Sequence, residues 1–227
     1  MNLPSGGYTI DDLATDAEPS GDIVITVQNI ENYAFMHKNS ITGVFSDTAL
    51  TVGDSFQYCD NLKTISFPNA TKIGSQRNNK SLISANFPKV NDISNYCFYE
   101  CTSLVSVNAP LATKVGIEAF RQCAFQHLDL PKCININRAA FRFCASFNLL
   151  ILRSEKACGL AHWNDVFERT PFADGGTGGT IYVPAELIPT YEAHWAWSVI
   201  IGYENNQILP IEGSIYETQY ADGTPIT

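Results

Sequence analysis

The chain has 227 residues, of which 45% are hydrophobic and 16% charged, and it carries a net charge of −9. That length and apolar content can bury a core and exclude a disordered chain, while so few charges leave little material for acid–base chemistry. The acids gather at the two ends and no Lys or Arg lies among residues 1–31 or 200–227; without a basic stripe a nucleic-acid partner is not expected. No run of 18 apolar residues exists, so no membrane span is expected.

In chain order, residues 1–21 read as an acidic N-terminal tail, with neither the basic nor the apolar region of a signal peptide. Export by another route, prior removal of a leader, and retention inside the cell all stay open. DIVITVQNI (22–30) alternates and reads as a first strand. A repeat then takes over. LKTISFP (62–68), LISANFP (82–88), LVSVNAP (104–110) and FQHLDLP (125–131) share one form, and Pro68, Pro88, Pro110 and Pro131 lie 20, 22 and 21 residues apart. Five residues beyond each proline stands Ile73, Ile93, Val115 or Ile136. An aromatic–Cys element follows in CFYEC (97–101), AFRQC (119–123) and AFRFC (140–144), with worn copies at IENYAF (30–35) and SFQYC (55–59). IGSQRNNKS (73–81) has lost both residues, and FNLLILRS (147–154) has Arg153 in place of the proline. About six units are expected over residues 22–154.

A unit of this length cannot bury an apolar face alone, so the units must stack. Ile65 and Phe67, Ala85 and Phe87, Val107 and Ala109, and Leu128 and Leu130 alternate, which means one strand per unit with one face inward. The Phe and Cys three apart suit one helical turn facing the core. The alternation points Thr64, Ser66, Ser84, Asn86, Ser106, Asn108, His127, Asp129, Leu149 and Ile151 outward. This strip is the candidate binding surface, since solenoids present such faces to partners; Leu149 and Ile151 mark either a contact patch or a surface the cap covers.

CTSLVSVNAPLATKVGIEAFRQC (101–123) resembles the BspA-like, treponemal-type leucine-rich repeats of bacteria nearly throughout, and the likeness covers about residues 30–154. The resemblance implies an α/β-type repeat solenoid, a leucine-rich-repeat-like right-handed coil with a parallel sheet on one face. FERTPF, a glycine-rich loop, IYVP, a short Trp-bearing helix and ILP resemble the C-terminal α+β cap of such arrays, expected over 155–212. Tyr191, Trp195 and Trp197 are expected to cover the open end of the coil, and 213–227 to form a tail.

Cys59, Cys101, Cys123 and Cys144 share one unit position, and Cys97 and Cys133 stand where alanines stand in other units. They read as small buried residues rather than disulfide or metal partners. Cys158 lies outside the repeat, and with His162 it is read as a cap contact. ADGGTGGT (173–180) lacks the Lys-Ser/Thr of a phosphate loop. No catalytic residue, metal, disulfide or cofactor is expected. The resemblance implies a non-catalytic binding module, secreted or at the cell surface, engaging a protein or a carbohydrate. The alternatives are a structural part of a phage tail appendage and an accessory domain of an enzyme.

Overall fold

Two short stretches in each unit are extended, one before the proline and one near the following Ile or Val. The computed structural model describes residues 19–161 and 163–226, and in it both stretches pair in parallel with their counterparts one period away. In chain order the strands are β1 (Gly21–Val24), β2 (Asn29–Ile30), β3 (Ile41–Phe45), β4 (Thr51–Val52), β5 (Thr64–Ser66), β6 (Lys72–Ile73), β7 (Ser84–Asn86) and β8 (Asp92–Ile93). They continue with β9 (Ser106–Asn108), β10 (Lys114–Val115), β11 (His127–Asp129), β12 (Asn135–Ile136), β13 (Leu149–Ile151), β14 (Gly159–Leu160), β15 (Thr180–Val183) and β16 (Gln207–Pro210). The longer strands form the main ladder, in two runs, β1-β3-β5-β7-β9 and β11-β13-β15-β16. The two-residue strands form a second ladder, β2-β4-β6 and β8-β10-β12-β14.

Register follows the repeat. Ser84 stands opposite Thr64 and Ser106, Ala85 opposite Ile65 and Val107, and Asn86 opposite Ser66 and Asn108. The inward row is buried, with Ile65 at 1%, Ala85 at 2%, Leu128 at 3% and Leu150 at 0% exposure.

The aromatic–Cys element is not the helical turn expected from its spacing. Cys101, Cys123 and Cys144 do donate their N–H to the carbonyls of Phe98, Phe120 and Phe141, at 3.1 Å in each case. Positive φ recurs every fourth residue there, however, at Tyr96 and Glu100 (both 56°), Glu118 and Gln122 (51° and 63°), and Ala139 and Phe143 (54° and 63°). Alternate N–H groups point along the stack. Phe98 donates to Ala119 O at 2.7 Å, Phe120 to Ala140 O at 2.9 Å and Phe141 to Val166 O at 3.0 Å. A helical turn would spend those groups within itself, whereas the coil needs them as rungs to the next unit.

The phenylalanines stack down the axis. Phe98 and Phe120 lie 5.7 Å apart, Phe120 and Phe141 5.8 Å, and Phe141 and Phe167 5.6 Å, with interplanar angles of 12°, 3° and 18°. Gly116 lets neighbouring turns approach: a Cβ there would lie 2.5 Å from Asn95 N.

The unit that lacks Phe and Cys repairs itself with buried amides. Gln76 Oε1 accepts from Phe56 N at 2.9 Å and Asn79 Oδ1 from Cys59 N at 2.8 Å. Gln76 Nε2 donates to Gly53 O at 2.6 Å and Asn79 Nδ2 to Gln76 O at 2.9 Å. Both residues are fully buried. Their side chains stand in for backbone that this shorter turn cannot supply.

The ladder does not stop at residue 154. Phe167 joins the ring stack, Thr170 N donates to Phe167 O at 3.1 Å, and Arg169 has φ 56°, so FERT repeats the Phe-x-x-Cys geometry with Thr in the Cys place. β15 and β16 then extend the main ladder to Pro210. A short helix α1 (Trp163–Val166) precedes FERT. Beyond β15, a 3-10 turn at Ala185–Leu187 leads into α2 (Ile188–Ala193), and α3 (Trp197–Gly202) follows a break at His194, where ψ is 123°. Tyr191 and Trp197 are fully buried over the coil end, and Tyr191 Oη and Trp197 Nε1 bond the backbone of Cys158. Trp195, expected to share that task, is 59% exposed because the break turns it outward beside His194. In the loop, Gly179 packs on Phe172, whose ring atoms would lie 2.3–2.6 Å from a Cβ.

Phe120→Ala should destabilise the chain by about 3–5 kcal/mol, because three rings stack or pack edge-on against Phe120. Asn79→Ala should cost about 1–3 kcal/mol by stranding Cys59 N. Urea unfolding followed by circular dichroism checks both.

Candidate functional site

The main ladder turns its outward side chains into one strip. Thr64, Ser106 and Asn108 are exposed, and Ser66, Ser84, Asn86, His127, Asp129 and Leu149 are half-buried. The uncharged part is internally tied. Asn86 Nδ2 donates to Ser66 Oγ at 2.9 Å and Asn108 Nδ2 to Asn86 Oδ1 at 2.8 Å. These bonds fix the side chains of three consecutive strands before any ligand arrives, which lowers the ordering cost of binding.

Ile151, placed on the outward side as either a contact patch or a covered surface, is fully buried, so it is not part of a binding surface. The reason lies in residues 213–226, expected as a tail but seated along the last strands. Arg153 donates through Nη1 to Tyr216 O and through Nη2 to Gln219 O at 2.9 Å, and the Tyr182 and Tyr216 rings meet edge-on at 4.7 Å. Ile151 lies in the row between Asp129 and Tyr182 and is roofed with them. Asp129 belongs to the same anchor. Arg153 Nε donates to both its oxygens, at 3.1 and 3.0 Å, and Nη2 to Oδ2 at 2.7 Å. Burial raises the Asp129 carboxyl above its ordinary value, against the pull of Arg153. Asp129 is thus spent on holding the chain end, not offered to a ligand.

Ile83 and Val105 were missed from the sequence. They stand just before β7 and β9 and are 46% and 47% exposed. Val105 N and Ser106 N both donate to Ile83 O, at 3.0 and 3.2 Å, and Ile83 N and Ser84 N share Lys63 O in the same way. Two successive residues on one acceptor break strict alternation, so the first of them turns outward. The signal available was only that apolar residues recur at this position.

On the turn side, Arg121 lies 5.2 Å from the Tyr99 ring centroid and 5.3 Å from that of Phe143, and it pairs with Glu118 at 2.7 Å. Arg142 pairs with Glu168 at 2.8 Å. These contacts tie neighbouring units, whereas the part of the strip from Thr64 to Asn108 carries no charged outward residue.

All seven thiols are buried and unbridged. Those of the repeat position donate to carbonyls of the preceding unit: Cys59 to Phe35 O at 3.0 Å, Cys123 to Phe98 O at 3.3 Å and Cys144 to Phe120 O at 2.9 Å. Burial pushes the Cys59 thiol up to about 11 and those of Cys101 and Cys144 up to about 12. Such thiols are neither nucleophiles nor ready metal ligands. Cys133 and Cys158, in neighbouring coils, have sulfurs 3.8 Å apart. His162 lies outside the described residues, as do residues 1–18 of the expected acidic tail. Among the described residues no group of three or more His, Cys, Asp or Glu is placed to hold a metal ion, and no helix is long and apolar enough to cross a membrane.

Parallel ladders rising one coil at a time, with an aliphatic inward row, define a leucine-rich-repeat solenoid. Residues 75–157 match the family model described as a BspA type leucine rich repeat region, in six copies. That part of the chain is a BspA-type repeat region, and the structure carries the same coil beyond it on both sides. A comparison with curated proteins gives no match. Among solved structures, a leucine rich cell surface protein from Faecalibacterium prausnitzii is 19% identical over 59% of this chain and 50% of its own, with a TM-score of 0.44. A leucine-rich repeat protein from Bacteroides ovatus is 14% identical over 82% of this chain and 60% of its own, with a TM-score of 0.38. The chain therefore spans 50% and 60% of the lengths of these two proteins.

Iodoacetamide at pH 8 should leave Cys59, Cys101 and Cys144 unmodified in the native protein and label them after unfolding in urea. Mass spectrometry reads the result, and because burial raises these thiols, protection should weaken only as the coil opens, not as pH climbs toward 9.

Proposed function

We propose that the chain is a non-catalytic binding module that engages a protein or carbohydrate partner through the outward strip of the main ladder, as part of a bacterial surface or secreted protein. The observation that carries this reading is the hydrogen-bonded row Ser66–Asn86–Asn108, an uncharged surface with its side chains already ordered. Flanking it, Thr64 and Ser106 offer hydroxyls, and Ile83 and Val105 offer apolar contact. Side-chain amides and hydroxyls beside aliphatic groups suit the polar and apolar faces of a sugar or of a peptide. The BspA-type repeats support an extracellular setting. The burial of the repeat-position thiols and the commitment of Asp129 to Arg153 favour binding over catalysis.

The test is a screen of the purified chain against extracellular matrix proteins and a glycan array, repeated with Ser84, Asn86, Ser106 and Asn108 all changed to Lys. A partner found in the first screen should be lost in the second, by about 100-fold or more if the strip is the centre of the interface. A partner retained at full affinity by the four-lysine chain, with its fold intact by circular dichroism, overturns the reading.

A further inference from the structure

The main ladder is broken once. Every neighbouring pair from β1 to β9, and again from β11 to β16, is joined by backbone rungs, but among the described residues none joins β9 to β11. The cause is one missing residue. Cys59 precedes Leu62 by three positions, as Cys101 precedes Leu104 and Cys144 precedes Phe147, but Cys123 precedes Phe125 by two. To keep Phe125 in the core, the chain bonds early: Ala124 N donates to Leu104 O at 3.0 Å, where the preceding unit bonds Val105 N to Ile83 O. The strand that follows is carried away from its neighbour, and a cavity of about 740 Å³ opens between them.

The gap leaves two edges facing each other. Ser106 and Asn108 pair toward β7, so the alternation of a parallel strand turns the N–H and C=O of Val107 toward the open side. On β11, Leu128 pairs toward β13, which turns His127 and Asp129 main-chain groups toward β9. Val107 is also the one member of its inward row, among Ile65, Ala85, Val107, Leu128 and Leu150, that is not buried. Asp222 and His127 stand at the opening beside Asp129, which is already paired with Arg153, and Tyr220 and Thr224 of the folded-back chain end form one wall. Its bonds to Thr224 hold Asp222 below the usual carboxylate range.

We propose that the gap between β9 and β11 accepts an extended strand of a partner protein, alternating apolar residues with lysine or small polar ones. An inserted strand would complete rungs on both sides at once, the strongest form of main-chain recognition an open sheet offers. Its apolar residues would cover Val107, and a basic outward residue would meet Asp222. Three-residue strands on either side set a recognised length of about 10 Å, or about three residues, which a pentapeptide spans with one residue beyond each end. The inference rests on the chain being a binding module and names the class of ligand it takes.

The probe is the peptide acetyl-Lys-Val-Thr-Val-Lys-amide, titrated into the full chain labelled with ¹⁵N. Saturable shifts confined to amides of residues 105–109 and 126–130 are expected. The same peptide methylated on both valine nitrogens should bind about tenfold more weakly or worse, equivalent to about 1.4 kcal/mol. Replacing both lysines by glutamate should also weaken it. Inserting one serine between Ala124 and Phe125 restores the common spacing; it should close the ladder, raise the melting temperature and abolish peptide binding. Should that insertion fail to fold, Val107→Asp, at a half-buried position, should reduce binding with the fold kept. Equal binding of the methylated peptide, equal binding to the insertion variant or to Val107→Asp, or the absence of saturable shifts would overturn the proposal. So would a concentration-dependent dimer that engages the same amides. A matrix or glycan partner lost by the four-lysine chain but kept by the insertion variant would sink the gap and spare the strip.

Discussion

Everything in this coil depends on backbone groups being satisfied by the next coil rather than within their own. Strands of two or three residues are too short to be stable alone, and the aromatic–Cys turns direct alternate N–H groups along the stacking axis, with positive φ at every fourth residue. Each unit is therefore completed by its neighbours, and the side-chain core of Phe, Ile and Cys can close only when the rungs are in step. Spacing, more than composition, is what the structure enforces.

The irregular units make this visible. Where the turn of 73–81 is short, two buried amide side chains supply the missing acceptors and donors, and the stack survives. Where the segment after Cys123 is short, no side chain bridges the deficit, and the main ladder parts between β9 and β11. The second ladder stays joined there, through β10 and β12, so the molecule is held together on one side while it opens on the other. One face of a solenoid can carry a gap because the opposite ladder and the ring stack through Phe98, Phe120 and Phe141 bear the connection.

The chain end shows the same logic in another form. A ladder must terminate, and its last apolar cross-section must be covered. Tyr191 and Trp197 do so by reaching the backbone of Cys158, while Arg153, in the place of the repeat proline, recruits the returning chain through the carbonyls of Tyr216 and Gln219. A residue that looked like a worn repeat position is the anchor of the terminal segment.

The recurrence of Pro68, Pro88, Pro110 and Pro131, with Ile or Val five residues on, determined by itself the parallel ladder, its inward row and the burial of the thiols, because a fixed period admits only one way of covering each unit's apolar face. The outward strip followed from the same alternation. The sequence left open whether Ile151 is covered, and it did not reveal that Arg153 holds Asp129, that Ile83 and Val105 project, that FERT continues the coil with a threonine for the cysteine, or that one absent residue after Cys123 parts two strands. Those outcomes depend on contacts between residues far apart in the chain and on how a local deficit in length is absorbed, and only the packed coils decide whether a side chain makes it good or the ladder opens.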